Sequence, residues 1–275
     1  MPPLRWRISW NGSQRSERNV NEFLNVTLLA LLQGVAEFLP ISSSGHLVIG
    51  QNLLGMKDAG LQLDVFLHGG TLLSVFVFYR KTILRILVKR EWEFLAKLLL
   101  SALPAVLVYF VFRKKIDALF ENAKMVGALL MFTGAVLAGT RLLPTGDKAV
   151  SFGRALWMGA MQAVALLPGV SRSGMTLAAA RTGRVDAEKA AEFSFLMSAP
   201  LIMGGVLLEI LKICRGVESA GAESTWWGLL IWGAVFAAVT GYLSLMLLIK
   251  VLKGSKFWLF GPYCFIAGLL TLWFL

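Results

Sequence analysis

Long apolar segments dominate this chain and determine the solvent in which it can fold. Six of them are close to the length of about 20 residues that a helix needs to cross a bilayer, and they cover residues 63–79, 94–112, 123–142, 190–213, 227–250 and 256–275. The chain of 275 residues is 57% hydrophobic and only 16% charged, whereas a soluble domain has about 25% charged residues. The sequence therefore predicts an all-α polytopic membrane protein with six full transmembrane helices.

Two further apolar stretches, residues 23–55 and 153–184, are interrupted in the middle. A proline and a polar Ser/Gly run break each of them, at Pro40 with residues 42–46 and at Pro168 with residues 171–174. Each half has about 12–17 residues, which is too short to cross a bilayer comfortably. Irregular backbone at membrane depth is tolerated where protein or a water-filled cavity covers it. We therefore expect two re-entrant helix-loop-helix segments.

The two interrupted stretches resemble each other. Each reads Gln-x-Val-Ala, then a Pro, then a Ser three residues after that Pro, then a Gly, beginning at Gln33 and at Gln162. Each is followed by three of the six spans, which gives an internal repeat of about 23–142 and 153–275. Because three is an odd number, the second copy must enter from the opposite face. The prediction is an inverted repeat, the architecture in which broken helices meet near the midplane of many transport proteins.

The formal net charge of +11 comes from Lys and Arg residues that lie mostly at the ends of the apolar segments. At these positions they meet anionic headgroups and fix orientation, so membrane lipids are predicted partners and nucleic acid is not. The side that holds the 80–93 loop is richer in Lys and Arg and is predicted to be cytoplasmic. A basic tail, residues 1–22, precedes the single membrane domain, residues 23–275, and argues against this orientation.

The second interrupted stretch carries the residues of an anion site. Arg172 lies between Ser171 and Ser173 in an apolar neighbourhood, and an intramembrane Arg is costly and usually functional. Its guanidinium can bind phosphate through two N–H groups, and a helix N-terminus beside it can bind the same anion. The first stretch repeats this plan with three serines, Ser42, Ser43 and Ser44. The alternative is a pair of kinked helices with satisfied serines, which leaves a buried Arg unexplained.

Glu37 and His46 add titratable groups to the first stretch. Glu37 lies one helical turn after Gln33, so both share a face, and a carboxylate there can hold Mg²⁺ or Ca²⁺ or position a water. His46 can act as acid, base or nucleophile. We expect His68, at the start of a plain span, to be a satisfied buried histidine without a role. The whole set suits phosphoryl transfer on a lipid-linked phosphate, while hydrolysis and transport of such a lipid both stay open.

Both interrupted stretches resemble the signatures of one family, the bacterial undecaprenyl-diphosphatases, also called the bacitracin-resistance family. Residues 33–46 (Gln-Gly-Val-Ala-Glu-Phe-Leu-Pro-Ile-Ser-Ser-Ser-Gly-His) are similar to its first signature, and residues 168–176 (Pro-Gly-Val-Ser-Arg-Ser-Gly-Met-Thr) to its second. The resemblance runs from about Leu24 to the C-terminus. It implies hydrolysis of undecaprenyl diphosphate, the spent carrier lipid of cell-wall synthesis, to the monophosphate and inorganic phosphate. It also implies Mg²⁺ or Ca²⁺ and a location in the bacterial plasma (inner) membrane, with the site reached from the outer face.

The resemblance also assigns roles to residues. We expect the catalytic residues to be Glu37, Ser43, His46 and Arg172, the substrate-binding residues to be Ser42, Ser44, Ser171, Ser173 and Thr176, and the metal ligands to be Glu37 and Gln33. Many members carry Glu at the position of Gln33, so the cation here would depend more on Glu37 and on the diphosphate.

Three questions stay open at the level of sequence. The nucleophile can be His46, Ser43 or water. A lipid flippase or transporter would use the same inverted repeat, although transport alone does not require Glu37, His46 and Arg172 together. The oligomeric state is undetermined, with a homodimer as one arrangement to test.

Overall fold

The computed structural model of the protein describes residues 12–56, 60–120, 122–214 and 224–274. Residues 1–11 of the predicted basic tail lie outside these ranges. Within them the chain forms α-helices, which in chain order are α1 (Gly12–Phe38), α2 (Ser43–Leu54), α3 (Gly60–Phe78), α4 (Arg80–Val88), α5 (Trp92–Phe120), α6 (Ala123–Gly139), α7 (Phe152–Val164), α8 (Arg172–Thr182), α9 (Ala187–Cys214), α10 (Ser224–Lys253) and α11 (Phe260–Phe274). Short 3-10 turns follow α6 at Thr140–Leu142 and precede α11 at Phe257–Leu259.

The predicted all-α polytopic membrane fold is confirmed. Among the described residues, five helices are long and apolar enough to cross a membrane, namely Trp92–Phe120, Ala123–Leu142, Ala187–Leu208, Trp227–Lys253 and Phe257–Phe274. They match five of the six predicted spans. The remaining span, predicted at 63–79, is the shorter apolar helix Gln62–Phe78.

Two segments contain more helix than the sequence suggested. The predicted 80–93 loop contains α4, in which Ile86 is buried while Leu84 and Leu87 are exposed. Its Lys and Arg residues suggested a loop, but they are compatible with a short helix at the membrane surface. In addition, α1 begins at Gly12, so it already includes the latter part of the predicted tail.

Polar and apolar side chains are distributed as expected for a protein dissolved in lipid. On α5, Leu99, Leu103, Leu107 and Phe110 are exposed at helical spacing, whereas Ser101 on the same helix is fully buried. Large exposed apolar faces of this kind are stable against lipid and are liabilities in water. The interior in turn holds many polar groups, among them Gln33, Glu37, Thr71, Thr133, Gln162, Ser194 and Ser198.

The internal repeat is visible in the packing. The series α1-α2-α3-α5-α6 corresponds in chain order to α7-α8-α9-α10-α11. Helix α1 packs on α10, and its counterpart α7 packs on α5, the counterpart of α10. In the same way α3 packs on α10 and α9 on α5, while α3 contacts α9 and α6 contacts α11. This exchange of partners is the pattern that two copies related by a twofold axis produce.

Helices α6 and α11 approach closely because glycines face each other at two levels. A Cβ atom on Gly127 would lie 2.9 Å from the carbonyl oxygen of Gly268, and a Cβ atom on Gly134 would lie 2.7 Å from that of Gly261. On each helix the two glycines are two turns apart. Small residues at such crossings let the backbones of membrane helices touch. Together, α6 and α11 are called the central pair below.

Candidate active site

Each interrupted stretch forms two helices joined by a tight loop. Residues 39–42 join α1 to α2, and residues 165–171 join α7 to α8. Each loop is taken below to include the first three residues of the helix that it begins, so the first loop means residues 39–45 and the second loop residues 165–174. In the second stretch both helices are short, since α7 has 13 residues and α8 has 11. The predicted helix-loop-helix pattern of both stretches is therefore present, and the proline lies inside each loop.

A serine caps the helix that follows each loop. The hydroxyl of Ser42 accepts a hydrogen bond from the backbone N–H of Gly45 at 3.4 Å, and that of Ser171 accepts one from Gly174 at 3.1 Å. An N-cap serine satisfies one of the free N–H groups of the first helical turn. The motif Ser-x-Ser-Gly thus begins α2 as well as α8.

The caps correct the predicted alignment of the two copies by one residue. Counting from the prolines paired Ser43 with Ser171, whereas the caps pair Ser42 with Ser171 and therefore Ser43 with Arg172. The second loop holds one more residue between its proline and its cap. There Gly169 adopts the positive φ of 93° and the cap is extended, while in the first loop Ser42 itself has a φ of 70°. Non-glycine residues in the left-handed region cluster at functional sites.

The two loops touch each other. A Cβ atom on Gly45 would lie 3.1 Å from the Cα atom of Gly169, and the hydroxyl of Ser173 donates to the carbonyl oxygen of Leu39 at 3.2 Å. The prediction that the ends of the half-helices meet is therefore confirmed. The N-termini of α2 and α8 come together at this point, where both helices have partly unsatisfied N–H groups.

Glu37 is the centre of the site. Its Oε2 atom accepts hydrogen bonds from the Ser43 hydroxyl at 2.6 Å and from Nε2 of Gln33 at 3.0 Å. Its Oε1 atom accepts one from Nη2 of Arg172 at 2.6 Å. The residue is only 6% exposed. The equivalent residues Ser43 and Arg172 therefore bind the two oxygens of one buried carboxylate.

His68 also lies at the site and is partly exposed, whereas we expected a satisfied, buried histidine in a plain span. Its Nε2 atom is 3.8 Å from Oε2 of Glu37, and its side chain is 30% exposed. Its Nδ1 atom lies 2.7 Å from the carbonyl oxygen of Asp64. Because a carbonyl oxygen only accepts, Nδ1 carries a proton and Nε2 is the atom that faces Glu37. A sequence signal was present, since Asp64 and His68 are one turn apart on α3 and share a face.

His46 lies at the edge of the site with both ring nitrogens engaged. Its Nδ1 atom is 2.9 Å from the carbonyl oxygen of Ser42, so Nδ1 is the donor. Its Nε2 atom is 2.8 Å from the hydroxyl of Tyr263 on α11, and the two rings are stacked with centroids 5.7 Å apart. In neutral His46, Nε2 therefore accepts from Tyr263. This partner was not among the residues predicted for the site.

The remaining predicted residues support the loops and α8. The hydroxyls of Ser42 and Ser44 lie 3.4 Å apart, and those of Ser171 and Ser173 lie 3.3 Å apart. The Thr176 hydroxyl is 2.6 Å from that of Ser194 on α9 and donates to the carbonyl oxygen of Arg172 at 2.8 Å. Thr176 thus ties the first turn of α8 to α9.

Two polar atoms of the site are buried without a hydrogen-bond partner among the described residues. They are Nη1 of Arg172 and Oε1 of Gln33. Buried polar groups normally have partners, so both atoms are available to a ligand. Across the described part of the chain, no cluster of three or more His, Cys, Asp or Glu side chains has the arrangement of a metal site.

The comparison with known proteins identifies the family. A family model described as Bacitracin resistance protein BacA matches residues 26–270. The chain belongs to the bacitracin-resistance family. Among its relatives, the undecaprenyl-diphosphatase of Desulfosudis oleivorans is 38% identical over 268 residues, which cover 90% of this chain and 96% of that protein. That of Halothermothrix orenii is 37% identical over 256 residues, with 91% and 97% covered.

A third relative, named undecaprenyl-diphosphatase 4, comes from Bacillus cereus and is 35% identical over 254 residues, which cover 91% of this chain and 96% of that protein. The resemblance read from the two signatures is thereby confirmed at the level of the family. Both signatures of this bacitracin-resistance family member lie within the matched region, and the structure brings them together around Glu37.

Proposed function

We propose that the protein hydrolyses undecaprenyl diphosphate to undecaprenyl phosphate and inorganic phosphate. The observation that carries this proposal is the joint binding of Glu37 by Ser43 and Arg172, one from each loop. It supports the proposal because a hydroxyl, a carboxylate and a guanidinium of the kind that binds phosphate share one hydrogen-bonded group inside a membrane protein. The relatives are named as phosphatases, which favours hydrolysis over transport.

Arg172 and the half-helices bind the terminal phosphate in this proposal. Nη2 of Arg172 holds Glu37, whereas Nη1 is buried and has no partner among the described residues. A phosphate oxygen can therefore accept from Nη1 while the ion pair with Glu37 persists. The N-termini of α2 and α8 add backbone N–H groups and the positive ends of two helix dipoles.

Ser43 is the proposed nucleophile. Its hydroxyl already donates to Glu37 at 2.6 Å, the arrangement in which an adjacent base activates a weak nucleophile. Ser43 Oγ bonds to the terminal phosphorus while the bond from that phosphorus to the bridging oxygen breaks. The hydroxyl proton passes to Glu37, and undecaprenyl phosphate leaves with the electrons of the broken bond. His46 fits this role less well, because both of its ring nitrogens are engaged.

Water completes the cycle. Its oxygen bonds to the phosphorus of phosphoserine 43 as the bond to Ser43 Oγ breaks, and inorganic phosphate leaves. Before water attacks, Glu37 gives the proton from the first step to the departing lipid phosphate. During the attack, Glu37 takes a proton from water and passes it to Ser43 Oγ. Both steps use the same carboxylate, and Arg172 holds the transferred phosphoryl group throughout, as charged clamps do in phosphoryl transfer.

Mg²⁺ or Ca²⁺ is proposed as cofactor, with Gln33 and Glu37 as protein ligands. The residues fit such an ion, because Oε1 of Gln33 is a buried oxygen without a partner among the described residues and lies one turn from the Glu37 carboxylate. Hard cations of this kind take oxygen ligands. When bound, the ion supplies positive charge that offsets the charge of the diphosphate.

The membrane and the orientation belong to the same proposal, and the distribution of charge supports the orientation. We place the protein in the bacterial plasma membrane with the side that includes α4 in the cytoplasm, since this side has more Lys and Arg. We also propose that the site is reached from the outer face, as the family resemblance implies. A homodimer stays a prediction.

Phosphate release tests the proposed function. Purified protein in detergent is mixed with undecaprenyl diphosphate in the presence of Mg²⁺ or Ca²⁺, and free phosphate is measured. We expect multiple turnovers, and loss of release with Arg172→Ala at unchanged protein folding. Absence of release with either cation, together with movement of the intact lipid across the membrane of proteoliposomes, would support a transporter instead.

A further inference from the structure

One hydroxyl on α6 holds the second loop at two adjacent points. The side chain of Thr133, fully buried, donates to the carbonyl oxygen of Gly169 at 3.0 Å and accepts from the backbone N–H of Ser171 at 3.1 Å. The loop also presses against the α6 backbone, because a Cβ atom on Gly169 would collide with the carbonyl oxygen of Val126. Thr133 therefore fixes the cap of α8 and, with it, the start of the helix that carries Arg172.

Neighbouring residues on α11 hold the first loop in a comparable way. The hydroxyl of Tyr263 is hydrogen-bonded to Nε2 of His46 at 2.8 Å, and the thiol of Cys264 donates to the carbonyl oxygen of Pro40 at 3.5 Å. His46 in turn donates to the carbonyl oxygen of Ser42, the cap of α2. The chain Tyr263–His46–Ser42 therefore links α11 to the residue just before Ser43.

The two supporting helices are themselves joined by the glycine contacts of the central pair, Gly127 with Gly268 and Gly134 with Gly261. Each loop is bound to one helix of this pair, and the helices touch through their backbones, which leaves little room for relative movement. The separation between the two loops is thus set by the central pair as well as by the contacts of the loops with each other.

We infer that the central pair fixes the distance between nucleophile and phosphate clamp, with Thr133 as the positioning residue of Arg172 and Tyr263 as the positioning residue of Ser43. This inference rests on the proposed function. The need for such support is physical, because a displacement of about 1 Å in a catalytic group can cost about 10²-fold in rate. Neither residue contacts Glu37, so each acts through the loop that it holds.

The two positioning residues act on different halves of the site, and their variants should differ in kinetics. Thr133→Val removes the hydroxyl at nearly constant volume and loosens the clamp, so KM for undecaprenyl diphosphate should rise by about five- to tenfold, the effect of one or two hydrogen bonds, with kcat changed less. Thr133→Ser keeps the hydroxyl and should restore KM.

Tyr263→Phe releases His46 and loosens the loop that leads to Ser43. Here kcat should fall by about five- to tenfold while KM changes less, because binding by Arg172 is unaffected. Two control variants make the same Thr→Val and Tyr→Phe substitutions at other positions. Thr140→Val, on the 3-10 turn after α6, removes a buried hydroxyl that donates to the carbonyl oxygen of Leu137, and Tyr242→Phe removes a phenol on α10 that packs against Phe78.

The experiment measures kcat, KM and the melting temperature of all five variants beside the unchanged protein. A change mainly in KM for Thr133→Val, a change mainly in kcat for Tyr263→Phe, recovery in Thr133→Ser and near-normal controls support the inference. Normal kinetics in both test variants, or equal losses that follow a drop in melting temperature shared with the controls, overturn it while the proposed function stands. If the unchanged protein releases no phosphate, the proposed function fails and the inference fails with it.

Discussion

The two loops share one backbone device but carry different chemistry. In both, a capping serine begins Ser-x-Ser-Gly at the start of a half-helix, and in both the two serine hydroxyls lie close together. The residue between them is Ser43 in the first copy and Arg172 in the second. Both bind Glu37, at 2.6 Å in each case. The repeat thus supplies two equivalent positions, one occupied by a hydroxyl, the proposed nucleophile, and the other by a cation.

The helices that precede the two loops, α1 and α7, also carry different polar side chains at equivalent positions. Gln33 of α1 donates to Glu37, whereas its counterpart Gln162 of α7 is followed one turn later by Leu166, and both of its amide atoms are buried without a partner in the described ranges. At this position only the first copy carries a carboxylate. Glu37 binds residues of both loops, so the proposed reaction has one centre within the twofold packing arrangement.

Replacement of the proposed nucleophile, Ser43, should lower activity more than any other change. Ser43→Ala removes the group that bonds to phosphorus, so kcat should fall by about 10⁴-fold or more, as for nucleophiles in other hydrolases, with KM nearly unchanged. Phosphate release at high enzyme concentration measures it. The control Ser198→Ala, a buried serine bonded to the Phe195 carbonyl oxygen on α9, should stay active. Retention of most activity in Ser43→Ala would show that the first loop does not supply the nucleophile.

Replacement of the clamp should have the next largest effect. Arg172→Ala should lower kcat/KM by about 10³-fold, because a charged donor to the transferred phosphoryl group is lost. Arg172→Lys keeps the charge without the two-pronged geometry and should recover only part of the loss. Equal activity of Arg172→Lys and the unchanged protein would show that only charge matters at this position.

His68 tests whether a residue outside both loops belongs to the site. His68→Asn can still donate to the Asp64 carbonyl but places no nitrogen near Glu37, so turnover should fall by about tenfold. His68→Gln can reach toward Glu37 and should lose less. The two variants are compared at the optimal pH of the unchanged protein. Full activity of His68→Asn would show that His68 has no part in the reaction.

The sequence could predict the loops but not their partners, for a physical reason. Proline, capping serines and glycine determine the backbone conformation at or near their own positions. The two breaks and the Ser-Gly helix starts could therefore be predicted from local spacing. The bond between Arg172 and Glu37 spans 135 residues and that between His46 and Tyr263 spans 217. Such contacts depend on how helices pack. The alignment error of one residue had a local cause, since the proline marks the break but the cap decides where the helix begins.

The smallest effect is expected at Gln162, the counterpart of Gln33 in the second copy. Gln162→Leu removes two buried amide atoms without partners in the described chain, so activity should be unchanged and stability should be equal or higher by about 1 kcal/mol. Gln33→Leu removes a hydrogen bond to Glu37 and should lower activity. Thermal unfolding and phosphate release of the pair measure both. Loss of activity in Gln162→Leu would indicate that the second copy has a polar function of its own.

Trapping of a phosphoenzyme tests the central claim, that the first loop attacks and the second loop holds. Substrate labelled in its terminal phosphate is mixed with excess protein, the reaction is quenched within its first turnover, and the labelled residue is located by mass spectrometry. The account predicts phosphate on Ser43, with no label in Ser43→Ala. Label on His46, or a complete first turnover without any labelled residue, would contradict it.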